Sequence, residues 1–264
     1  HVLNDPPYNA VRWALTVMVF VSCLQIRFSE LKPRKEHWYL LGANLLMGTL
    51  PYFALKLLFP QNPSLANAAF FVGITPTATA APVVVAFLNG RIGFALTGFT
   101  ITNVFVSLSL LFLLPMVTGQ FTADFIGRVA VTLLQVIAFP FIMAVILRGI
   151  WPKLRELPKK LKTFSFLLWS FTLFILAAIA REYFIENPHV SMWNVGGIAL
   201  ISAVICFCNF WFGKYLAPKR YRRECSQLLG QKNTTFTMYL ALHYASALVA
   251  MGPIFYIFCH NMWN

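Results

Sequence analysis

The sequence is organised as nine long apolar segments separated by short polar linkers. The segments lie at roughly 9–27, 38–59, 64–89, 93–117, 125–148, 163–181, 193–214, 225–243 and 245–262. Most have the length, about 18–25 residues, that an α-helix needs to cross a ~30 Å hydrocarbon core. Because the apolar residues run continuously and do not alternate, the pattern excludes a transmembrane β-barrel. We therefore predict an all-α polytopic membrane protein that forms a single transporter-like unit over residues 1–264.

Two of these segments, the third and the eighth, carry helix-breaking residues in their interior. The third contains Pro76 and Pro82 among threonines and alanines, and each proline removes a backbone donor. The eighth contains Gly230 followed by the polar run 231–235. Since the two breaks are five segments apart, they enter the membrane from opposite sides, which indicates an inverted repeat of five helices. Paired broken helices that cross in the membrane are typical of the binding site of a transporter.

A five-helix repeat predicts ten helices, and the tenth would precede the first apolar segment. We therefore expect nine or ten transmembrane helices, and it stays open whether an N-terminal helix is missing from the chain.

The lysines and arginines are distributed unevenly between the linkers. Of the 21 basic residues, sixteen lie in every second linker, and only Arg12, Lys56, Arg128 and Arg181 lie on the opposite side. Because positively charged loops stay in the cytoplasm, we expect a cell-membrane protein with its N-terminus outside and its C-terminus in the cytoplasm. This distribution explains the net charge of +13. The predicted partner is therefore the lipid bilayer and not a nucleic acid.

The last basic residue, Lys232, lies within the eighth apolar segment. A charge near the bilayer centre costs at least about 2.5–3.5 kcal/mol, so such a residue usually faces a cavity and is functional. A fixed ammonium could replace a coupling cation by binding backbone carbonyls. A lysine that loses its charge when buried could instead carry protons. The third interpretation is a side chain that snorkels to the cytoplasmic interface.

Polar side chains of the two broken segments and of the fourth segment are expected to line a cavity. Half-helix N-termini attract anions, and exposed carbonyls coordinate cations. The predicted substrate-binding residues are Thr75, Thr77, Thr79, Thr100, Asn103, Gln231, Lys232, Asn233 and Thr234. No aspartate or glutamate falls inside an apolar segment, so the sequence offers no embedded carboxylate for a proton or a sodium ion. It predicts no catalytic residue, no metal site and no cofactor, and therefore no enzyme.

The order of these features resembles the bile acid:sodium symporter family, within the wider group that includes arsenite and auxin carriers. The resemblance includes the polar turn Gln25–Glu30, Pro51 in the next helix, and the stretch from Pro76 to Gly90. It also includes residues 230–233, which are similar to the Glu-x-Gly-x-Gln-Asn signature of the family. Together these motifs span nearly the whole chain.

The resemblance implies two domains and a transport mechanism. A panel domain would comprise approximately 9–27 and 125–181, and a core domain approximately 38–117 and 193–262. Members of the family move organic anions, commonly with sodium, by shifting the core against the panel.

The sequence departs from the family pattern where sodium would bind. The signature glutamate aligns with Leu228 and its glutamine with Lys232. A serine-asparagine pair in the third segment aligns with Ala81-Pro82, and a glutamine in the second segment aligns with Leu46. An ammonium ~4 Å from a sodium ion would repel it by about 4 kcal/mol at an effective dielectric constant of about 20. The resemblance, with this departure, implies transport without sodium, in which Lys232 replaces the cation.

The sequence therefore predicts a secondary transporter of a small organic anion or metabolite that works by alternating access, either proton-coupled or as a facilitator. One alternative is a membrane receptor that kept the transporter fold and binds a ligand without moving it. The other is an ordinary sodium symporter with displaced sites. The identity of the substrate, the direction of transport and the oligomeric state are left open.

Overall fold

The chain folds into α-helices, as a computed structural model describes it for residues 6–24, 26 and 31–263. The helices are α1 Pro6–Cys23, α2 Lys35–Leu58, α3 Pro63–Ile74, α4 Ala80–Phe87, α5 Ile92–Thr118, α6 Ala123–Leu133, α7 Phe139–Ile150, α8 Leu157–Lys160, α9 Lys162–Glu186, α10 Met192–Tyr215, α11 Arg222–Gly230, α12 Thr234–Tyr244 and α13 Ala247–Trp263. A π-helical turn, Leu134–Ala138, joins α6 to α7. The polar turn Gln25–Glu30, which supports the family resemblance, lies outside the described residues except for Ile26.

Each predicted apolar segment coincides with one helix or with two helices in succession. Within the described residues, five helical spans are long and apolar enough to cross a membrane: Lys35–Leu58, Ile92–Thr118, Ala123–Ile150, Thr163–Glu186 and Met192–Tyr215. Many large apolar side chains on these helices are exposed, among them Leu57 at 82% and Trp193 at 90%. Such a surface suits hydrocarbon and not water. The protein is therefore an all-α integral membrane protein, while nine or ten spans remain a prediction.

The third and eighth segments are interrupted in the structure, as predicted. The first interruption separates α3 from α4, and the second separates α11 from α12. Thr75 is extended, with φ −48° and ψ 128°, because the residue before a proline is disfavoured in the helical region. Pro82 lies in the first turn of α4, where its missing N–H removes no helical hydrogen bond. Pro76 therefore ends a helix, whereas Pro82 is compatible with the start of one.

The chain divides into two compact units. The first unit comprises His1–Arg27 and Leu110–Arg181. Within it, α1 packs against α7 and the π-helical turn, and the Thr16 hydroxyl donates to the Gln135 carbonyl at 3.2 Å. The side chain of Gln135 accepts a hydrogen bond from Arg12 at 3.0 Å. These bonds satisfy polar groups of a turn that departs from regular α-helix.

The second unit comprises Phe28–Ser109 and Glu182–Asn264. The unit contains two sets of three elements, each made of a helix, an interrupted helix and a second helix. The first set is α2, α3 with α4, and the start of α5. The second set is α10, α11 with α12, and α13. A buried cluster from α3, α10 and α13 holds these elements together: Ala69, Val72, Ile205, Cys206, Phe210 and Tyr256. Both interruptions lie in this unit, so the candidate site can be described within it.

Candidate functional site

The two interruptions pair with each other. Thr77 and Lys232 form an antiparallel bridge. The Ala78 N–H donates to the Gln231 carbonyl, and the Asn233 N–H donates to the Pro76 carbonyl, both at 2.8 Å. Unwound backbone inside a membrane protein needs partners, because no water is present in the hydrocarbon core. Each interruption supplies those partners to the other, and we call the paired segments 75–79 and 231–233 the crossing.

Lys232 is buried at the crossing, with 1% of its surface exposed. Its ammonium donates to the side-chain oxygen of Asn44 and, at 3.2 Å, to the carbonyl of Gly73. The Asn44 amide in turn donates to the Ile74 carbonyl at 3.1 Å. The last carbonyls of a helix have no partner within it and carry partial negative charge. Lys232 therefore does not snorkel, and with Asn44 it satisfies the C-terminal end of α3.

Thr77 caps the C-terminal end of α11, as Lys232 and Asn44 cap that of α3. Its hydroxyl donates to the Leu228 carbonyl at 2.6 Å and accepts a hydrogen bond from the Thr102 hydroxyl at 2.9 Å. The Asn103 amide donates to the Thr77 carbonyl at 2.9 Å. The bridge partners Thr77 and Lys232 thus each satisfy the end of the opposite broken helix. This reciprocal capping fixes both half-helices to the crossing.

Two further hydroxyl groups connect the broken helices to their neighbours. The Thr75 hydroxyl lies 2.8 Å from the Thr237 hydroxyl, which links the end of α3 to α12. Thr237 also donates to the Thr234 carbonyl at 3.3 Å. The Tyr256 hydroxyl on α13 donates to the Gly230 carbonyl at 2.8 Å, so α11 is capped by α13 as well.

The N-terminal ends of α4 and α12 carry unbonded polar side chains. Thr79 and Asn233 precede these helices, and neither makes a side-chain capping bond. Thr79 is exposed and Asn233 is partly exposed. The side-chain nitrogen of Gln231 is buried and has no hydrogen-bond partner within the described part of the chain. The side chains of Thr79 and Asn233 are accessible to a ligand and the Gln231 amide is buried without a partner among the described residues, whereas the groups at the C-terminal ends are already bonded.

Most of the nine predicted site residues meet at the crossing. Seven of them form side-chain or backbone hydrogen bonds at the crossing or at the helix ends beside it: Thr75, Thr77, Asn103, Gln231, Lys232, Asn233 and Thr234. Thr79 lies at its exposed edge. Thr100 instead donates to the Leu96 carbonyl one turn earlier in its own helix, at 2.8 Å.

Sequence reasoning missed Asn44, which binds Lys232 directly. The family glutamine of the second segment was aligned with Leu46, but Leu46 is 52% exposed and the polar side chain that reaches the crossing is two residues earlier. An asparagine inside an apolar segment was an available signal, since amides in membrane helices usually bond to another helix.

Replacing Thr77 by valine removes the cap of α11 without changing the shape of the side chain. We expect Thr77→Val to lower the free energy of unfolding by about 1–3 kcal/mol, because the Leu228 carbonyl loses its donor and the Thr102 hydroxyl keeps only its bonds within α5. Thr100→Val is the matched control, since its hydroxyl bonds only within α5, and it should change stability by less than about 0.5 kcal/mol. Unfolding in mixed micelles measures both. Equal effects would show that the Thr77 bond does not stabilise the crossing.

Comparison with known protein families gives one match. The family model described as "Sodium Bile acid symporter family" matches residues 13–187, which is more than half of the 264 residues. The match contains the first interruption and ends before the second, which carries Lys232. No curated protein matches the chain.

Proposed function

The chain belongs to the sodium bile acid symporter family, and we propose that it transports a small organic anion without sodium, with Lys232 in place of the coupling cation. Membership indicates a membrane transporter of the bile-acid or organic-anion type. Beyond family membership, we propose alternating access, sodium independence and the roles of individual residues.

The observation that carries the proposal is the position of the Lys232 ammonium. It binds the Asn44 side-chain oxygen and the Gly73 carbonyl, which are neutral oxygen ligands of the kind that a hard cation such as sodium accepts. The ammonium occupies these ligands at the C-terminal end of α3, where a positive charge is favourable. A sodium ion beside it would meet repulsion of about 4 kcal/mol at ~4 Å and an effective dielectric constant of about 20.

The anion preference follows from the opposite ends of the broken helices. The N-terminal ends of α4 and α12 carry partial positive charge, as in other transporters with broken helices. Thr79, Gln231 and Asn233 offer hydroxyl and amide groups there that are not used in capping. A carboxylate or sulfonate would accept hydrogen bonds from them and would be attracted by the buried ammonium. We assign these three residues to the substrate.

The transport cycle is proposed to be a shift of a core domain against a panel domain. The two compact units have bounds near those proposed for the panel, at 9–27 and 125–181, and for the core, at 38–117 and 193–262. The repeated order in the second unit supports an inverted repeat with crossed broken helices. With the basic linkers in the cytoplasm, the N-terminus would lie outside and the C-terminus inside the cell.

Uptake into proteoliposomes tests the proposal. Candidate anions are first selected by thermal stabilisation of the purified protein, and uptake of the radiolabelled anion is then measured. We expect saturable uptake with the same initial rate in sodium, potassium and choline salts, because the Lys232 ammonium takes the place of the coupling cation. A fixed ammonium predicts no response to a pH gradient, whereas a proton-carrying lysine predicts accumulation driven by it.

The outcomes separate the alternatives. Binding without uptake above that of protein-free liposomes would identify a receptor and refute transport. Uptake stimulated severalfold by sodium would identify a symporter with displaced sodium sites and refute the role of Lys232.

A further inference from the structure

Three guanidinium groups surround one tyrosine ring at an end of the second unit. Their central carbons lie 5.6 Å (Arg34), 5.0 Å (Arg91) and 5.4 Å (Arg220) from the centroid of the Tyr221 ring. The ring is 4% exposed and stacks on Phe94, with 4.4 Å between centroids and 12° between planes. The stacked Phe94 ring covers one face of Tyr221. We call these three residues the arginine cluster.

The arginine cluster is assembled from separate parts of the chain. Arg34 precedes α2, Arg91 precedes α5, and Arg220 lies in the short turn before α11. The positive-inside distribution requires basic linkers but not their convergence on one ring. The starts of three helices therefore bring the charges together, and the positive ends of the helix dipoles add to their field.

Two buried carboxylates lie beside the arginine cluster without pairing with it. Glu224, which is buried, accepts a hydrogen bond from the backbone N–H of Arg91 at 2.8 Å. Glu36 is buried in the first turn of α2. Within residues 31–263, neither carboxylate forms an ion pair with a guanidinium of the cluster. The three exposed cations outnumber these two buried carboxylates and repel each other, and an anion with several oxygens would relieve that repulsion.

The surroundings of the arginine cluster favour a lipid over a soluble anion. Trp38, one helical turn after Arg34, is 47% exposed, and Ile92, next to Arg91, is 48% exposed. Tyr39 and Phe87 add exposed fractions of 54% and 77%. Cations whose neighbours along the chain are exposed aromatic and apolar side chains are expected at the boundary between headgroups and acyl chains. A soluble phosphate would use the cations but not the apolar side chains.

We propose that Arg34, Arg91 and Arg220 form a headgroup site for an anionic phospholipid, with the phosphate on the guanidinium groups and an acyl chain along Trp38 and Ile92. Guanidinium groups bind phosphate oxygens through two parallel hydrogen bonds, which suits this geometry. The site lies apart from the proposed substrate groups and does not depend on what the protein transports.

Lipid binding to the purified full chain in neutral detergent tests the site. Phosphatidylglycerol is titrated against phosphatidylcholine, and bound lipid is counted by native mass spectrometry. We expect the triple variant R34Q/R91Q/R220Q to bind phosphatidylglycerol roughly 100-fold more weakly than the unmodified protein, since each basic group contributes roughly a factor of five. The control K153Q/K160Q/K214Q removes the same charge from exposed lysines elsewhere and should bind normally.

Single variants, lysine variants and competition by phosphate test the site further. If the triple variant does not fold, each single variant should weaken binding about fivefold, and R34K/R91K/R220K, which keeps the charge but loses the paired hydrogen bonds, should bind more tightly than the glutamine variant and more weakly than the unmodified protein. Inorganic phosphate at millimolar concentration should neither displace the lipid nor stabilise the protein. Equal weakening by the cluster and control variants would overturn the site, and competition by phosphate alone would overturn its assignment to a lipid.

Discussion

The Lys232→Met variant is expected to lose anion uptake and to unfold at least about 3 kcal/mol more easily than the unmodified protein. The change removes the ammonium that binds Asn44 and the Gly73 carbonyl but keeps an unbranched apolar stem. Hydrogen bonds to charged groups contribute about 1.5–3 kcal/mol each, and both acceptors would stay buried without their donor. The C-terminal end of α3 would then lack its positive charge. Initial uptake rates and unfolding in mixed micelles measure the two effects.

Two companion variants define what the lysine contributes. Lys214→Met, on the exposed end of α10, removes a charge outside the crossing and should leave uptake and stability unchanged. Lys232→Gln keeps hydrogen-bonding capacity and should be less destabilised than Lys232→Met, yet it should not acquire sodium dependence, because the carboxylate of the family signature is still absent at Leu228. Sodium-stimulated uptake by Lys232→Gln would refute the view that the site cannot hold sodium.

Gly73→Ala is expected to destabilise the protein by about 3 kcal/mol and to reduce uptake strongly. An added Cβ would lie 1.9 Å from the Met47 carbonyl oxygen and 2.7 Å from the Gly48 nitrogen, both in the backbone of α2. Neither atom can yield as a flexible side chain would, so α3 must move away from α2. Such overpacking typically costs about 1–3 kcal/mol, and the cost here lies at the upper end because the contact is with backbone. The same movement displaces the carbonyl that Lys232 binds.

Gly42→Ala provides the control within the same pair of helices. Gly42 lies in the interior of α2, and no atom would come within 4 Å of its Cβ. Alanine should therefore raise stability by about 0.5–1 kcal/mol through the lower backbone entropy of the unfolded chain. Similar losses of stability and uptake in both variants would show that the site does not depend on the close approach of α2 and α3 at Gly73.

The two interruptions could be predicted because their signals are local. Pro76 follows a threonine within an apolar segment, and Gly230 precedes a polar run that a lipid-facing helix would not carry. Lys232 was predicted to be functional for the same reason, since a charge in an apolar segment contrasts with every neighbour. The structure places all three in the crossing or at the helix ends that it joins.

The partners of Lys232 were harder to predict because they are distant in the sequence. Asn44 is separated from Lys232 by 188 residues, and no periodic pattern connects two such positions. On α5, the sequence analysis names Thr100 and Asn103; Asn103 reaches Thr77, but Thr100 does not, and Thr102 does instead. A helix with apolar residues on every side does not reveal which face meets the rest of the protein. The face of α5 that meets the crossing and the pairing of Asn44 with Lys232 could therefore be identified only from the structure.

The central claim is that the Lys232 ammonium occupies the place of a coupling cation, and sodium binding tests it most directly. The thermal stability of the purified protein is measured in sodium, potassium and choline chloride at several pH values, with and without a stabilising organic anion. Our account predicts the same stability in all three salts and a shift with the anion alone. A shift that requires sodium would contradict the account and would mean that the chain binds the ion through other ligands.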